Sequence, residues 1–412
     1  MGEEAKREKL WTKSFIVLTC VNFVSALTFY LLMVKMTEYA YTTYNVSQSV
    51  AGGALSSYII GALLTRLFLG GRIDEWGARK SLFLGFAVNA VMAFLYIIPM
   101  GIVPLYIVRF LHGFGFALSS GAAASAAVMI LPAARRGEGI GYFSMAQALA
   151  TGVGPFVAIV ITNAFNSYTV LFAITGCGCV LAFLSLFLLK LPPAANGRPR
   201  DKSAPKQKIT LATFIQFSVI PLAGTLLLAY LGYAGVLSFM TLYTSEIGLT
   251  NAASFFFVVY ALVILFSRPF TGRYVDRKGP NRIVYCALVS LVIGLVLMWS
   301  AASVTSSFGA VAGSAVLLIA AAGIGFGVGN TQSVVQAVIA KITPENELGK
   351  ANSTFFMSMD LGSGVGPVLI GLVIPFTGYA GSYLLLAVIA VIAIAYYFFS
   401  FARKVTVEGS ES

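Results

Sequence analysis

The chain has 412 residues, of which 58% are hydrophobic and only 10% charged. Soluble domains carry roughly 25% charged residues, so this composition excludes a chain surrounded by water and places most of it in a bilayer. The net charge of +12 does not mark a nucleic-acid partner either, because Lys and Arg concentrate in every second segment between apolar runs.

A bilayer core of roughly 30 Å needs about 20 apolar residues per helix. In chain order this predicts helices near 14–36, 48–69, 80–100, 103–129, 139–163 and 168–190. Six more follow near 213–242, 253–271, 282–302, 310–335, 352–374 and 379–402. The expected fold is all-α and integral to the membrane. It comprises a six-helix bundle (1–190), a Pro-rich basic linker (191–212) and a second six-helix bundle (213–412). Met1–Lys13 mixes both charge signs and precedes a span too long for a signal peptide, so no cleavable leader is expected. The basic segments begin before the first helix and recur after helices 2, 4, 6, 8, 10 and 12. This positive-inside bias predicts a multi-pass protein of the cell (inner or plasma) membrane with both termini cytoplasmic, in contact with anionic lipid. Cys20, Cys177, Cys179 and Cys286 all lie in apolar spans and suggest neither a disulfide framework nor a metal site.

The two halves repeat each other. At an offset of 202, Tyr58, Arg66, Phe68, Gly70, Asp74 and Gly77 match Tyr260, Arg268, Phe270, Gly272, Asp276 and Gly279. At an offset of 212, Gly137, Phe143, Met145, Leu149, Gly152, Val153, Gly154 and Pro155 match Gly349, Phe355, Met357, Leu361, Gly364, Val365, Gly366 and Pro367. A parallel repeat of this kind places a substrate site between the halves, near the bilayer midplane.

Several motifs sit on this frame. After helix 2 the chain reads Gly70-Gly71-Arg72-Ile73-Asp74-Glu75-Trp76-Gly77-Ala78-Arg79-Lys80, and after helix 8 it reads Gly272-Arg273-Tyr274-Val275-Asp276-Arg277-Lys278-Gly279. The glycines allow tight turns and the aspartates suit capping of a neighbouring helix. Helix 4 carries Arg109-Phe110-Leu111-His112-Gly113. An arginine inside a span is costly unless paired or hydrated, and His112, the only histidine, lies three residues on along the same face. Helix 5 holds Gly141 and then Thr151-Gly152-Val153-Gly154-Pro155, and helix 11 holds Gly362-Ser363-Gly364-Val365-Gly366-Pro367. Small residues there permit close helix approach. Asp360 is the one acid clearly inside an apolar span. Burial favours its neutral form, as a proton carrier requires, although accepting hydrogen bonds from a neighbouring helix is an equally open role.

These motifs resemble those of the major facilitator superfamily, over roughly residues 10–403. The paired loops are similar to its Gly-x-x-x-Asp-x-x-Gly-x-Arg-Lys sequence, with Glu75 departing from it, and the helix 4 run to its Arg-x-x-Gln-Gly, with His112 in place of Gln. Helices 5 and 11 resemble the motif of its drug–proton antiporter branch. The resemblance implies a conformational latch at Gly70, Asp74, Gly77, Arg79, Gly272, Asp276, Arg277 and Gly279. It also implies proton coupling through Asp360, Arg109 or His112, and pliable helix contacts at Gly141, Gly152, Gly154, Pro155, Gly362, Gly366 and Pro367.

Candidate cavity residues are Asn22, Tyr30, Gln147, Tyr230, Tyr233 and Asn330, with Gln216, Gln332 and Gln336 also polar within spans. So few fixed charges suit lipophilic or amphipathic cargo. Glu38 either pairs with Lys35 at the surface or lines an outward mouth, and Arg66 and Arg268 are expected to snorkel to the interface. The expected protein is a monomeric, proton-coupled antiporter exporting a small drug or metabolite, with no cofactor, no metal and no nucleic acid. Export of a metallophore, with Arg109 holding a carboxylate, and uptake by proton symport are the alternatives within transport. No nucleophile–base spacing, phosphate loop or sensing domain supports an enzyme or a receptor.

Overall fold

The computed structural model describes residues 10–69, 76–132, 135–196, 215–344 and 347–403, and among them every regular element is helical. The first half contains α1 (Lys13–Tyr44), α2 (Gln48–Leu69), α3 (Ala78–Leu95), α4 (Ile102–Ile130), α5 (Arg136–Phe165) and α6 (Tyr168–Ser185). The second opens with α7 (Ile220–Glu246) and α8 (Thr250–Lys278). Two longer runs follow, Asn281–Ile342 of 62 residues and Leu348–Tyr397 of 50 residues.

Each of these runs is far longer than the roughly 20 residues a bilayer requires, and each is broken once. The breaks are Gly309 (φ 86°, ψ 171°) and Gly378 (φ 68°, ψ 176°), in a region of backbone space essentially reserved for glycine. They divide the runs into α9 (281–308), α10 (310–342), α11 (348–377) and α12 (379–397), which completes the expected six plus six. The loops expected at 302–309 and 376–381 thus contract to one glycine each. Most of the expected linker, from 197 to 212, lies outside the described residues; before it, Pro193–Asn196 form a short 3-10 turn.

Lys13, Lys190, Lys341 and Arg403 stand at the ends of helices that share one face of the molecule, hereafter the basic face. Two hydrogen bonds tie helix ends together there, from Ser14 Oγ to the Lys190 carbonyl (3.0 Å) and from Tyr397 Oη to Asn281 Oδ1 (2.8 Å). Elsewhere the outer surface is a belt of exposed apolar side chains such as Phe308, Val311 and Phe376, suited to lipid rather than water.

The sequence repeat reappears as matched contacts. Gly113 of α4 packs against the Tyr58 carbonyl of α2, and Gly325 of α10 packs against the Tyr260 carbonyl of α8. Gly154 of α5 abuts Tyr30 and Leu31 of α1, while Gly366 of α11 abuts Leu231 and Ala234 of α7. Both pairs lie within a half. Gly152 of α5 meets Ala261 of α8, and Gly364 of α11 meets Ile59 of α2; these contacts cross between the halves. Ile59 and Ala261 are themselves related by the offset of 202. Two seams, α2 with α11 and α5 with α8, therefore join the halves by one repeated rule: a glycine on the second helix lets the first approach closely.

Candidate functional site

The seams close at one end and part at the other. Away from the basic face, a Cβ at Gly371 of α11 would stand 2.6 Å from the Ser49 backbone of α2, and one at Gly52 of α2 would stand 2.6 Å from the Pro367 carbonyl. Toward the basic face a cavity of about 430 Å³ lies between the halves. Its walls include Asn22 of α1, Thr65 and Arg66 of α2, Ser120 and Ser125 of α4, Phe143 and Gln147 of α5, and Asn352, Phe356 and Met357 of α11. Gln147, Asn352 and Phe356 are exposed, so the cavity opens toward the basic face. Its volume falls in the range that holds small organic ligands.

At the inner end of this cavity Arg66 of α2 and Asp360 of α11 form an ion pair, Nη1 donating to Oδ2. The pair is part-buried (28% and 19% exposed) and the Arg66 guanidinium also lies 5.5 Å from the Phe356 ring. One expectation is corrected here: Arg66 does not snorkel to the interface, because the charge opposite it in the neighbouring half holds it inward. Asp360 accepts a hydrogen bond from a neighbouring helix, from a partner that lies 294 residues away in sequence. Arg268, the repeat partner of Arg66, has no ion pair among the described residues, and its Nε is buried without an acceptor.

Arg109 and His112 occupy a different place. Both are buried within the first half (1% exposed each) and neither lines the cavity. Arg109 Nε donates to the Ala54 carbonyl at 3.1 Å, while its terminal nitrogens find no hydrogen-bond acceptor. The guanidinium instead lies 4.4 Å from the Tyr58 ring centroid and 6.0 Å from that of Tyr96, a cation–π arrangement. His112 Nδ1 is 2.9 Å from Tyr96 Oη. Sequence reasoning missed the tyrosines, although Tyr58 is one of the repeated residues.

The other expected residues sort by position. Asn22 and Gln147 line the cavity, and Asn22 Nδ2 donates to the Phe143 carbonyl at 3.2 Å. Tyr30, Tyr230 and Tyr233 sit deeper, between the halves. Tyr30 and Tyr230 are within electrostatic range of Arg268 and Asp360, and the rings of Tyr233 and Tyr260 stack at 5.2 Å. Asn330 is not a cavity residue. It is fully buried, accepts from Thr271 Oγ1 (2.7 Å) and donates to Ser267 Oγ (2.9 Å), so it ties α10 to α8. Glu38 pairs with Lys35, the first of its two expected roles, and does not line the cavity. α1 continues two turns past its expected end, Lys35 is only 4% exposed, and its Nζ donates to Glu38 at 2.8 Å. Tyr168 Oη donates to the other Glu38 oxygen at 2.9 Å. Lys35 is thus buried and Glu38 part-buried (19% exposed).

Of the expected latch, Gly70 and Asp74 lie outside the described residues, as does the Asp276 side chain. Gly77 (φ 90°) caps the start of α3, Gly279 (φ 79°) ends α8, and Arg79 and Arg277 are exposed beside them. Gly272 forms no turn; it lies within α8 with open space around it. In the small-residue motifs Gly152 faces the other half, whereas Gly154, Gly362 and Gly366 pack within their own. Pro155 and Pro367 lie inside α5 and α11, and Gly141 in the first turns of α5. Among the described residues no cluster of three His, Cys, Asp or Glu side chains is arranged to hold a metal.

Among the described residues, twelve apolar helices in two repeated halves, joined by two seams around a cavity closed at one end, have the architecture of a membrane transporter. The profile of the Major Facilitator Superfamily matches residues 18–316 and 296–411; the chain belongs to this superfamily. It is 22% identical over 362 residues to the staphylopine export protein of Staphylococcus aureus (strain Mu50), covering 87% of this chain and 88% of that one. It is also 24% identical over 364 residues to the hexuronate transporter of Bacillus subtilis (strain 168), covering 84% and 85%. Among solved structures it superposes on a peptide transporter, POT, with a TM-score of 0.75 at 15% identity, covering 93% and 94% of the two chains. On the nucleoside transporter NupG the TM-score is 0.71 at 13% identity, covering 95% and 100%.

Proposed function

We propose that the protein is a monomeric, proton-coupled antiporter that exports a small lipophilic or amphipathic compound by alternating access. The basic face is then cytoplasmic, and the conformation described here is open to the cytoplasm and closed to the outside. The observation that carries the reading is the Arg66–Asp360 pair, which joins the halves at the inner end of the cavity. A proton taken up by Asp360 removes its charge, leaves Arg66 without a partner and weakens the α2–α11 seam, whose outer end must part for the outward-open state. Deprotonation on the cytoplasmic side restores the pair. The carboxyl is thus placed to couple proton entry to the conformational switch.

Arg109 acts on this cycle from within the first half, through Tyr58 and α2, and His112 orients Tyr96 rather than carrying the proton. The loops at Gly77–Arg79 and Arg277–Gly279 serve as the latch on the cytoplasmic side. Export is favoured over uptake by the glycine-lined α5 and α11 and by the likeness to the staphylopine export protein. That likeness also supports a second reading, export of a cell-made metal chelator.

The test uses everted vesicles with an imposed proton gradient, challenged with organic cations, fluoroquinolones and metabolites from culture medium. Proton release on adding at least one of them is expected. A gradient untouched by every compound, with the protein present and folded, removes proton antiport. A comparison of metabolites secreted by a deletion strain and its parent identifies the cargo.

A further inference from the structure

The two seams share a scaffold but not a charge balance. Arg66 and Arg268 are repeat partners, and each lies seven residues, two helical turns, beyond the repeated contact residue, Ile59 or Ala261. Each therefore shares a helix face with that contact and stands nearer the basic face. Across the first seam, one turn from Gly364, α11 supplies Asp360 to Arg66. Across the second, the position one turn from Gly152 on α5 is residue 148, and it is alanine. The repeat thus places an arginine at both seams and a carboxylate at one.

Arg268 has no ion pair among the described residues and its Nε is buried without an acceptor. The nearest acid along α8 is Asp276, eight residues or about 12 Å farther on. Glu347, at the basic face, is engaged by Gln216 Nε2 at 2.8 Å. Tyr30, Tyr230 and Tyr260 lie within electrostatic range of Arg268, and Tyr30 and Tyr230 are also within range of Asp360, which is itself paired with Arg66. Gln147, on the same helix as position 148, lines the cavity.

We propose that Arg268 is the anchor for a carboxylate on the transported compound, which takes the place across the α5–α8 seam that Asp360 fills across the α2–α11 seam. A guanidinium fork binds a carboxylate through two parallel hydrogen bonds, and the tyrosine hydroxyls around it add donors. The cargo is therefore an amphipathic acid, its carboxylate at Arg268 and its apolar part in the cavity between Phe143 and Phe356. This assignment rests on the chain's being a transporter of amphipathic compounds and narrows that class to acids.

The test is a binding measurement that needs no proton gradient. Thermal unfolding of the purified full-length protein in detergent is followed with 2-naphthylacetate, its neutral amide, citrate, phosphate and chloride. The acid is expected to raise Tm and the amide to leave it unchanged. Arg268→Gln, and Ala148→Asp, which supplies the missing carboxylate from the protein itself, should each weaken the effect of the acid by about tenfold or more, the worth of one charge-assisted contact. If Ala148→Asp fails to fold, Arg268→Gln decides. Equal shifts with acid and amide, no shift with either carboxylate, or an unaltered shift in Arg268→Gln overturn the proposal. Shifts by phosphate or chloride as large as those by the carboxylates reassign the site to a small inorganic anion and also overturn it. Vesicles that fail to exchange protons remove proton coupling and leave the acid–amide difference intact, so the two readings fail separately.

Discussion

The first and second halves of this transporter pack by the same rules and differ in where they carry charge. Gly113 on the Tyr58 carbonyl is repeated by Gly325 on the Tyr260 carbonyl, and Gly152 against Ala261 by Gly364 against Ile59. Yet Arg109, buried between two tyrosines, matches Ala321 in the second half, and Asp360 matches Ala148 in the first. Close packing depends on small residues at fixed spacing, so a duplicated scaffold preserves it. Charge is not copied with it: among the described residues the seam ion pair is found on one side only, and an ion pair, unlike a glycine contact, can be switched by a proton. The asymmetric positions are therefore where function is expected, and the symmetric ones are where the fold is held.

The sharpest way to break this comparison is Asp360→Asn. It removes the carboxylate that pairs across the α2–α11 seam, and proton-driven transport is expected to fall to background while substrate counterflow, which needs no net proton movement, persists. Coupled transport at the normal rate would show that the asymmetry at this seam is incidental. Next in size is Arg109→Gln. Because the guanidinium does not reach the cavity, turnover should fall with KM unchanged. Stability should shift by no more than about 2 kcal/mol, the upper range of cation–π contacts. A change confined to KM would place Arg109 in the binding site instead.

The symmetric positions give smaller effects that should come in pairs. Gly152→Leu and Gly364→Leu insert bulk into equivalent seams. Both are expected to destabilise by about 1–3 kcal/mol, as overpacking does, and to slow transport similarly, measured by thermal unfolding and by uptake into everted vesicles. Strongly unequal losses would mean that one seam moves and the other serves only as a hinge. The smallest effect is expected for His112→Gln. Glutamine can still pair with Tyr96, so stability should fall by about 0.5–1.5 kcal/mol at most, with the pH dependence of transport unaltered. A displaced pH profile would make His112 a proton carrier.

Much of this was legible in the chain itself. Apolar runs of the length a bilayer demands determined twelve spans, and alternating basic segments determined which helix ends share a face. The glycine registers already named the residues that bring helices together, since a missing side chain is the condition for close approach wherever the partner lies. What the sequence could not disclose was which charged groups meet. Read alone, Arg66 sat near a helix end and Asp360 stood by itself, because an ion pair spanning 294 residues leaves no local trace. Glu38 and Lys35 were adjacent in the chain, but their burial depended on α1 running on to Tyr44 and on Tyr168 arriving from α6. Asn330 looked like a cavity residue until α8 supplied Thr271 and Ser267. Burial and pairing are properties of two helices at once, so only the tertiary structure decided that Arg66 has an ion-pair partner and that Arg268, its double, has none among the described residues.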